Sequence, residues 1–115
     1  MKDFKKLKIW EKGVELSVKV YHLVSALPDH ERYGLSSQMT RCAVSIPANI
    51  AEGAGRRTEK DFRNFLYTAL GSAFELETLI EVSTELGFLR KKAAKELQEQ
   101  INHIERQLNA FIQRL

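Results

Sequence analysis

Two groups of cations stand out by their spacing. Arg56, Arg57, Lys60 and Arg63 place four positive charges within eight residues, against Glu59 and Asp61. Lys5, Lys6, Lys8 and Lys12 crowd the start of the chain against Asp3 and Glu11. Cations in such runs can hold the phosphate backbone of RNA or DNA, a contact that ignores sequence and weakens with salt. The plainer reading is a solvated basic face. Arg56 and Arg57 also precede Thr58, the expected cap of a helix, and a helix N-terminus attracts anions, so the three form a candidate anion-binding corner. Gly53-Ala54-Gly55-Arg56 superficially resembles a phosphate loop, but it follows a helix rather than a strand and lacks the third glycine and the lysine–serine pair. It reads better as a helix end and turn.

Other chemistry finds little support. Gln38, Arg41, Asn49 and Glu52 share a helical stripe and read as a buried hydrogen-bonded network, within the chain or between subunits, since buried polar groups must be paired. Cys42 lies on an apolar stripe, where a thiol is inert. A di-iron bundle needs Glu-x-x-His pairs, and none of His22, His30 or His103 has a glutamate three residues before it. No catalytic residue, metal site or cofactor is therefore expected, and the chain does not read as an enzyme.

The elements that must position these residues are helices. At 115 residues the chain fits one domain, 1–115, with 43% hydrophobic and 29% charged residues, a net charge of +3 and one cysteine. It shows neither a membrane-length apolar run nor a secretory leader, so a cytoplasmic protein with no membrane partner is expected. The organising stretch is Leu35–Arg57, whose only formal charge before Glu52 is Arg41. As a helix it carries three stripes. Leu35, Met39, Cys42, Ile46 and Ile50 are apolar; Ser37, Val44, Ala48 and Ala51 are small; Gln38, Arg41, Ser45, Asn49 and Glu52 are polar. The stripes keep phase across Pro47, which predicts a continuous helix bent there, ended by Gly53 and Gly55 as left-handed caps. A helix so poor in charge is expected to be covered on most sides, and self-association through Ser37, Val44, Ala48 and Ala51 would supply the cover.

Around it, apolar spacing predicts a helix from about Ile9 to Leu27, stopped by Pro28. Trp10, Val14, Ser17, Tyr21 and Val24 lie on one face of it, and Leu16, Val20, Leu23 and Leu27 on a neighbouring one. Thr58 caps a long helix to about Leu86, with a heptad seam through Phe62, Phe65, Ala69, Ser72, Leu76, Leu79, Ser83 and Leu86. Gly87 ends it. The last helix opens on Arg90, Lys91, Lys92 and Lys95 and places Leu97, Ile101, Ile104, Leu108, Phe111 and Leu115 on one side. Four helices with short connections make an all-α, up-down-up-down four-helix bundle.

SIPANIAEGAGR at 45–56, Phe65-Leu66, Gly71-Ser72-Ala73 and Glu75-Leu76-Glu77-Thr78, with Leu7, Trp10, Tyr21, Leu35, Gln38 and Arg41 upstream, resemble the bundle proteins of the 23S rRNA intervening-sequence type, the S23 family. The resemblance runs from about Phe4 to Leu89. It implies a ring-shaped homo-oligomer, a homopentamer, and leaves the family's function unknown. The similar accessory proteins of diversity-generating retroelements partner a reverse transcriptase and nucleic acid. The expected role is thus a non-enzymatic homo-oligomer binding RNA or DNA through its basic corners; the alternative is a scaffold that docks a partner enzyme without touching nucleic acid.

Overall fold

The computed structural model describes residues 2–115, which form four α-helices and no strand. They are α1 (Lys8–Leu23), α2 (Leu35–Ala54), α3 (Glu59–Glu85) and α4 (Lys91–Arg114). Each helix runs antiparallel to the next. Cys42 of α2 meets Ser72 of α3 while Gly53 meets Phe62, and Glu77 of α3 meets Gln98 of α4 while Phe62 meets Phe111. α1 closes the bundle against α2 and α4, and the most extensive contact is α2 on α3.

The ends follow from local chemistry. α1 stops at Leu23 rather than Leu27: a 3-10 turn, Val24–Ala26, intervenes, the Ser25 hydroxyl donates to the His22 carbonyl at 2.6 Å, and Leu27 is already extended. Thr58 caps α3 by accepting from the Asp61 N–H at 3.1 Å, leaving Glu59 and Asp61 in the turn where the helix dipole favours them. Gly87, at φ +81°, ends α3 as the Phe88 N–H reaches back to the Ser83 carbonyl.

α2 runs unbroken through Pro47. Its two glycines do not act as the expected left-handed caps. Gly55 is the C-cap but has right-handed angles, φ −85°. Gly53 lies inside the last turn, buried, where a Cβ would stand 2.6 Å from Phe65 Cβ and 2.9 Å from Phe62 Cδ1. It is there for the close approach of α3. At the other side of α2, a Cβ on Gly13 would stand 3.1 Å from Pro47 Cβ, so α1 also rides close.

The core is one cluster drawn from all four helices. From α2 it takes Met39, Cys42, Ile46 and Ile50, and from α4 Leu97, Ile101, Ile104 and Leu108, as the apolar spacing predicts; Ile112 rather than the half-buried Phe111 completes α4. Each such side chain contributes about 1.5–3 kcal/mol of burial. The faces of α1 and α3 agree with expectation only in part. On α1 the inward residues are Leu16 and Val20, while Val14 and Tyr21 are exposed. On α3 the buried seam is Phe62, Leu66, Ala69, Ala73, Leu76, Ile80 and Ser83, with Phe65, Ser72 and Leu79 half-buried and Leu86 exposed. Both seams alternate steps of three and four. The one used points between α2 and α4, which α3 must cover together.

A polar pair sits between α3 and α4. Gln98 Nε2 donates to the Glu77 carbonyl at 3.1 Å, and Glu105 Oε2 is buried with no partner. Burial, then the neighbouring Glu77 carboxyl, push Glu105 from 4.5 up to about 8, with Arg106 opposing. A proton on Glu105 lets it donate to Glu77. The folded chain therefore binds that proton more tightly than the unfolded chain does. The stability it brings is complete below the unfolded value and is lost as pH rises through the folded one. Thermal unfolding should show a loss of about 1 kcal/mol between roughly pH 5 and 8, a figure kept small because the groups are partly solvated. Glu105→Gln should flatten that dependence; an unchanged slope would assign it to other groups.

Candidate functional site

The antiparallel arrangement brings the start of α1, the end of α2, the start of α3 and the end of α4 to one end of the bundle. The segment before α1 is tied there by the Lys2 N–H, which donates to the Ala54 carbonyl at 2.9 Å. Asp3 caps a 3-10 turn, Phe4–Lys6, by accepting from the Lys5 N–H at 3.1 Å, and Phe4 packs edge-on to Trp10 at 5.2 Å. This turn holds Lys5 and Lys6 beside the first turn of α1, which carries Lys8.

Both cation groups of the sequence consequently share this end. Lys2, Lys5, Lys6, Lys8, Lys12, Arg56, Arg57, Lys60, Arg63 and Arg114 lie here against Asp3, Glu11, Glu15, Glu52, Glu59 and Asp61, which gives the end +4 and the remainder −1 of the chain's +3. Arg56, Arg57, Lys60, Lys5, Lys6 and Lys8 are exposed, and Arg63 is half-buried. Arg56 is held over the Phe65 ring, 4.6 Å from its centroid, a cation–π contact that limits its motion. Lys12 differs from the rest: it pairs with Glu15 at 3.6 Å and is partly neutralised. The glutamates of α3 point the other way along the molecule, since Glu85 lies about 38 Å of helix from Lys60.

Two clefts open on this end. One, of about 290 Å³, lies among Lys2, Arg56, Arg57, Thr58 and Glu59. The other, of about 350 Å³, lies between residues 6–9 and Gln107, Ala110, Phe111 and Arg114 of α4. The sequence pointed to Lys6 and Lys8 but not to Arg114 or Gln107. Those two are isolated in the sequence, and the bundle's closure alone brings them to the N-terminal lysines.

The polar stripe of α2 does not form the expected network within the chain. Gln38, Arg41 and Glu52 are exposed, and Asn49 is half-buried. The hydrogen-bonded group is instead Ser45, Asn49 and Ser72. Asn49 Nδ2 donates to Ser45 O at 2.7 Å and Oγ at 2.9 Å, and the Ser45 and Ser72 hydroxyls meet at 2.9 Å. Positions 38, 41 and 52 turn past the α3 contact into solvent, where charged groups keep their hydration. In one chain, α2 is likewise not covered on most sides. Val44 and Ala48 are exposed, and Ser37 and Ala51 half-buried. Val44 and Pro47 join Val14, Val18 and Tyr21 of α1 in an open apolar groove of about 360 Å³. On α3, Tyr67 and Phe74 are also exposed.

Cys42 is buried, and its Sγ donates to the Ser72 carbonyl at 2.9 Å. Burial, followed by the Glu75 charge, pushes the thiol up to about 12, so the nucleophilic thiolate is not available near neutral pH. His22, His30 and His103 are exposed. Among the described residues no three His, Cys, Asp or Glu side chains converge as metal ligands, and no helix is long and apolar enough to cross a membrane.

The family model described as 23S rRNA-intervening sequence protein matches residues 5–110. Among solved structures, the chain is similar to a protein of unknown function from the S23 ribosomal protein family of Bacteroides thetaiotaomicron, with a TM-score of 0.85 and 25% identity over 91% of this chain and 95% of that one. No curated protein is matched.

Proposed function

This chain belongs to the 23S rRNA-intervening sequence protein family, and from that premise we propose that it is a non-enzymatic, homo-oligomeric helical bundle that holds the phosphate backbone of RNA or DNA on its basic end. The observation that carries this reading is the meeting of the two cation groups, far apart in sequence, on one end of the bundle, with the acidic run of α3 pointing away from it. Each cation alone would be a weak phosphate ligand. Repetition of the end around a ring, the homopentamer that family resemblance implies, would add avidity.

The test is binding of a generic single-stranded RNA across a salt series. With four or more phosphate contacts the affinity should fall with a log–log slope of about −3 or steeper. A flat response, or no binding at low salt, rejects the reading. Light scattering after size exclusion, with the 260/280 nm ratio taken on the same peak, gives the assembly and any retained nucleic acid together.

The subunit contact is assigned to the open small-residue face of α2, with Ser37, Val44, Ala48 and Ala51, where the exposed groove offers apolar area to another copy. Ala48 is exposed in the single chain, so Ala48→Glu should keep helicity and reduce the assembly to single chains. An unchanged mass with intact helicity would move the contact to another face. The stripe of Gln38, Arg41, Asn49 and Glu52 flanks this face and is proposed to pair across the contact. The same groove favours the second reading, a scaffold that seats a protein partner without nucleic acid; an assembled, RNA-free protein that stays RNA-free at low salt would select it.

A further inference from the structure

We propose that the cleft between the start of α1 and the end of α4 is a site for a phosphomonoester carried by a nucleoside, the phosphorylated end of an RNA or DNA strand. The proposal rests on the basic end being a nucleic-acid surface and names what that surface takes beyond backbone. Three cations, Lys6, Lys8 and Arg114, line the cleft, and no carboxylate or histidine does. None of the three is in an ion pair within the chain among the described residues. A phosphodiester offers them one negative charge, whereas a phosphomonoester offers about −1.5 to −2 at pH 7, so three cations on one cleft favour an end over a continuous backbone.

The walls suit the rest of the ligand. The volume, about 350 Å³, lies at the lower end of the range of small-molecule sites, ~300–1,000 Å³. Phe111 is fixed edge-on to Phe62 with centroids 5.4 Å apart, and Arg114 lies over the Phe111 ring at 5.2 Å. The cation is thereby positioned before any ligand arrives, which lowers the ordering cost of binding. Gln107 Oε1 is buried without a hydrogen-bond partner. Gln107 lines the cleft, and a turn of its amide toward a bound sugar hydroxyl or base amino group would give this acceptor the donor it lacks.

The experiment compares a short single-stranded RNA bearing a 5′-phosphate with the same strand ending in a hydroxyl, by fluorescence anisotropy, with adenosine monophosphate as competitor. The phosphorylated strand should bind about tenfold tighter, the scale of one charge-assisted contact. Lys8→Gln with Arg114→Gln should remove that preference and keep the remaining affinity; both residues are exposed, and circular dichroism checks the fold. Arg56→Gln with Arg57→Gln should weaken both strands alike and keep the preference. Equal affinity of the wild-type protein for the two strands, or a preference that survives the Lys8/Arg114 double variant, overturns the cleft proposal and leaves the backbone reading standing. If neither strand binds but adenosine monophosphate does, and the double variant loses it, the backbone reading falls and the cleft stands as a nucleotide site. If nothing binds, both fall. Competition by adenosine monophosphate that equals the phosphorylated strand identifies the free nucleotide as ligand, and weaker competition identifies the strand end; either supports the site.

Discussion

Arg56→Glu combined with Arg57→Glu should weaken RNA or DNA binding by at least about 100-fold at low salt, while the mass of the assembly and its helicity stay as they were. Both arginines are exposed at the turn between α2 and α3, and neither is in an ion pair with a carboxylate among the described residues. A charge-assisted hydrogen bond is worth about 1.5–3 kcal/mol, so losing two gives the stated loss before the repulsion of the new carboxylates is added. Arg56 should matter more, because its guanidinium is already held over Phe65 and needs less ordering on contact. Two phosphate contacts fewer should also make the salt slope on a single strand shallower by about 1.4. Filter binding at several salt concentrations reads both effects. A double variant that binds as tightly as the parent would remove this corner from the site, and one that loses affinity with no change of slope would mean that the arginines act other than as phosphate ligands.

Gly53→Val is the substitution expected to damage the fold most for its size. The new Cβ would stand 2.6 Å from the Cβ of Phe65, an atom next to the backbone that no side-chain rotation can move. α2 and α3 must therefore separate where they pack most closely, and the ring of Phe62 must shift as well. Overpacking of this kind costs about 1–3 kcal/mol for added methylenes, and a branched side chain meeting two aromatics belongs at the top of that range. Chemical denaturation should show about 3 kcal/mol lost. Gly55→Val is the control. A Cβ there meets nothing nearer than a carbonyl oxygen at 3.6 Å, and the residue already has right-handed angles, so stability should change by less than about 0.5 kcal/mol. Equal losses at the two positions would mean that both glycines serve the turn rather than the helix contact.

These two glycines show what could be read from the chain alone and what could not. GAGRR after an apolar helix has the composition of a helix end, and the helix does end there. Which glycine is needed for packing depends on where Phe62 and Phe65 arrive from α3, a distance no local pattern encodes. The helices themselves were legible, because Thr58, Pro28 and Gly87 punctuate them and apolar residues recur at helical spacing. The buried seam of α3 was less so. Its residues support two alternations of three and four, and only the directions of α2 and α4 select the one through Leu66, Ala73 and Ile80. The cation groups were legible one at a time. Their meeting depends on the Lys2 to Ala54 hydrogen bond and on α4 closing against α1, which adds Arg114 from the far end of the sequence. Within one chain the polar stripe of α2 is not buried, because uncharged hydrogen-bonding residues such as Gln38 suit solvent as well as a network, and the sequence does not say which they meet.

The contact of Gly13 with Pro47 also has an evolutionary consequence. Proline offers no N–H and fills the space beside its own helix with ring carbons, and α1 rests so close to that ring that a Cβ at position 13, 3.1 Å from Pro47 Cβ, would make the two helices give by a few tenths of an ångström. The two sites, 34 residues apart in sequence, should therefore vary together. Lineages that keep the proline should keep the glycine, and a lineage that gains a methyl at 13 should be found to have replaced Pro47 or moved α1 outward. The adjoining groove of Val14, Val18, Tyr21 and Val44 would change shape in the same step, so drift at one buried glycine would reshape an apolar surface on the outside of the bundle.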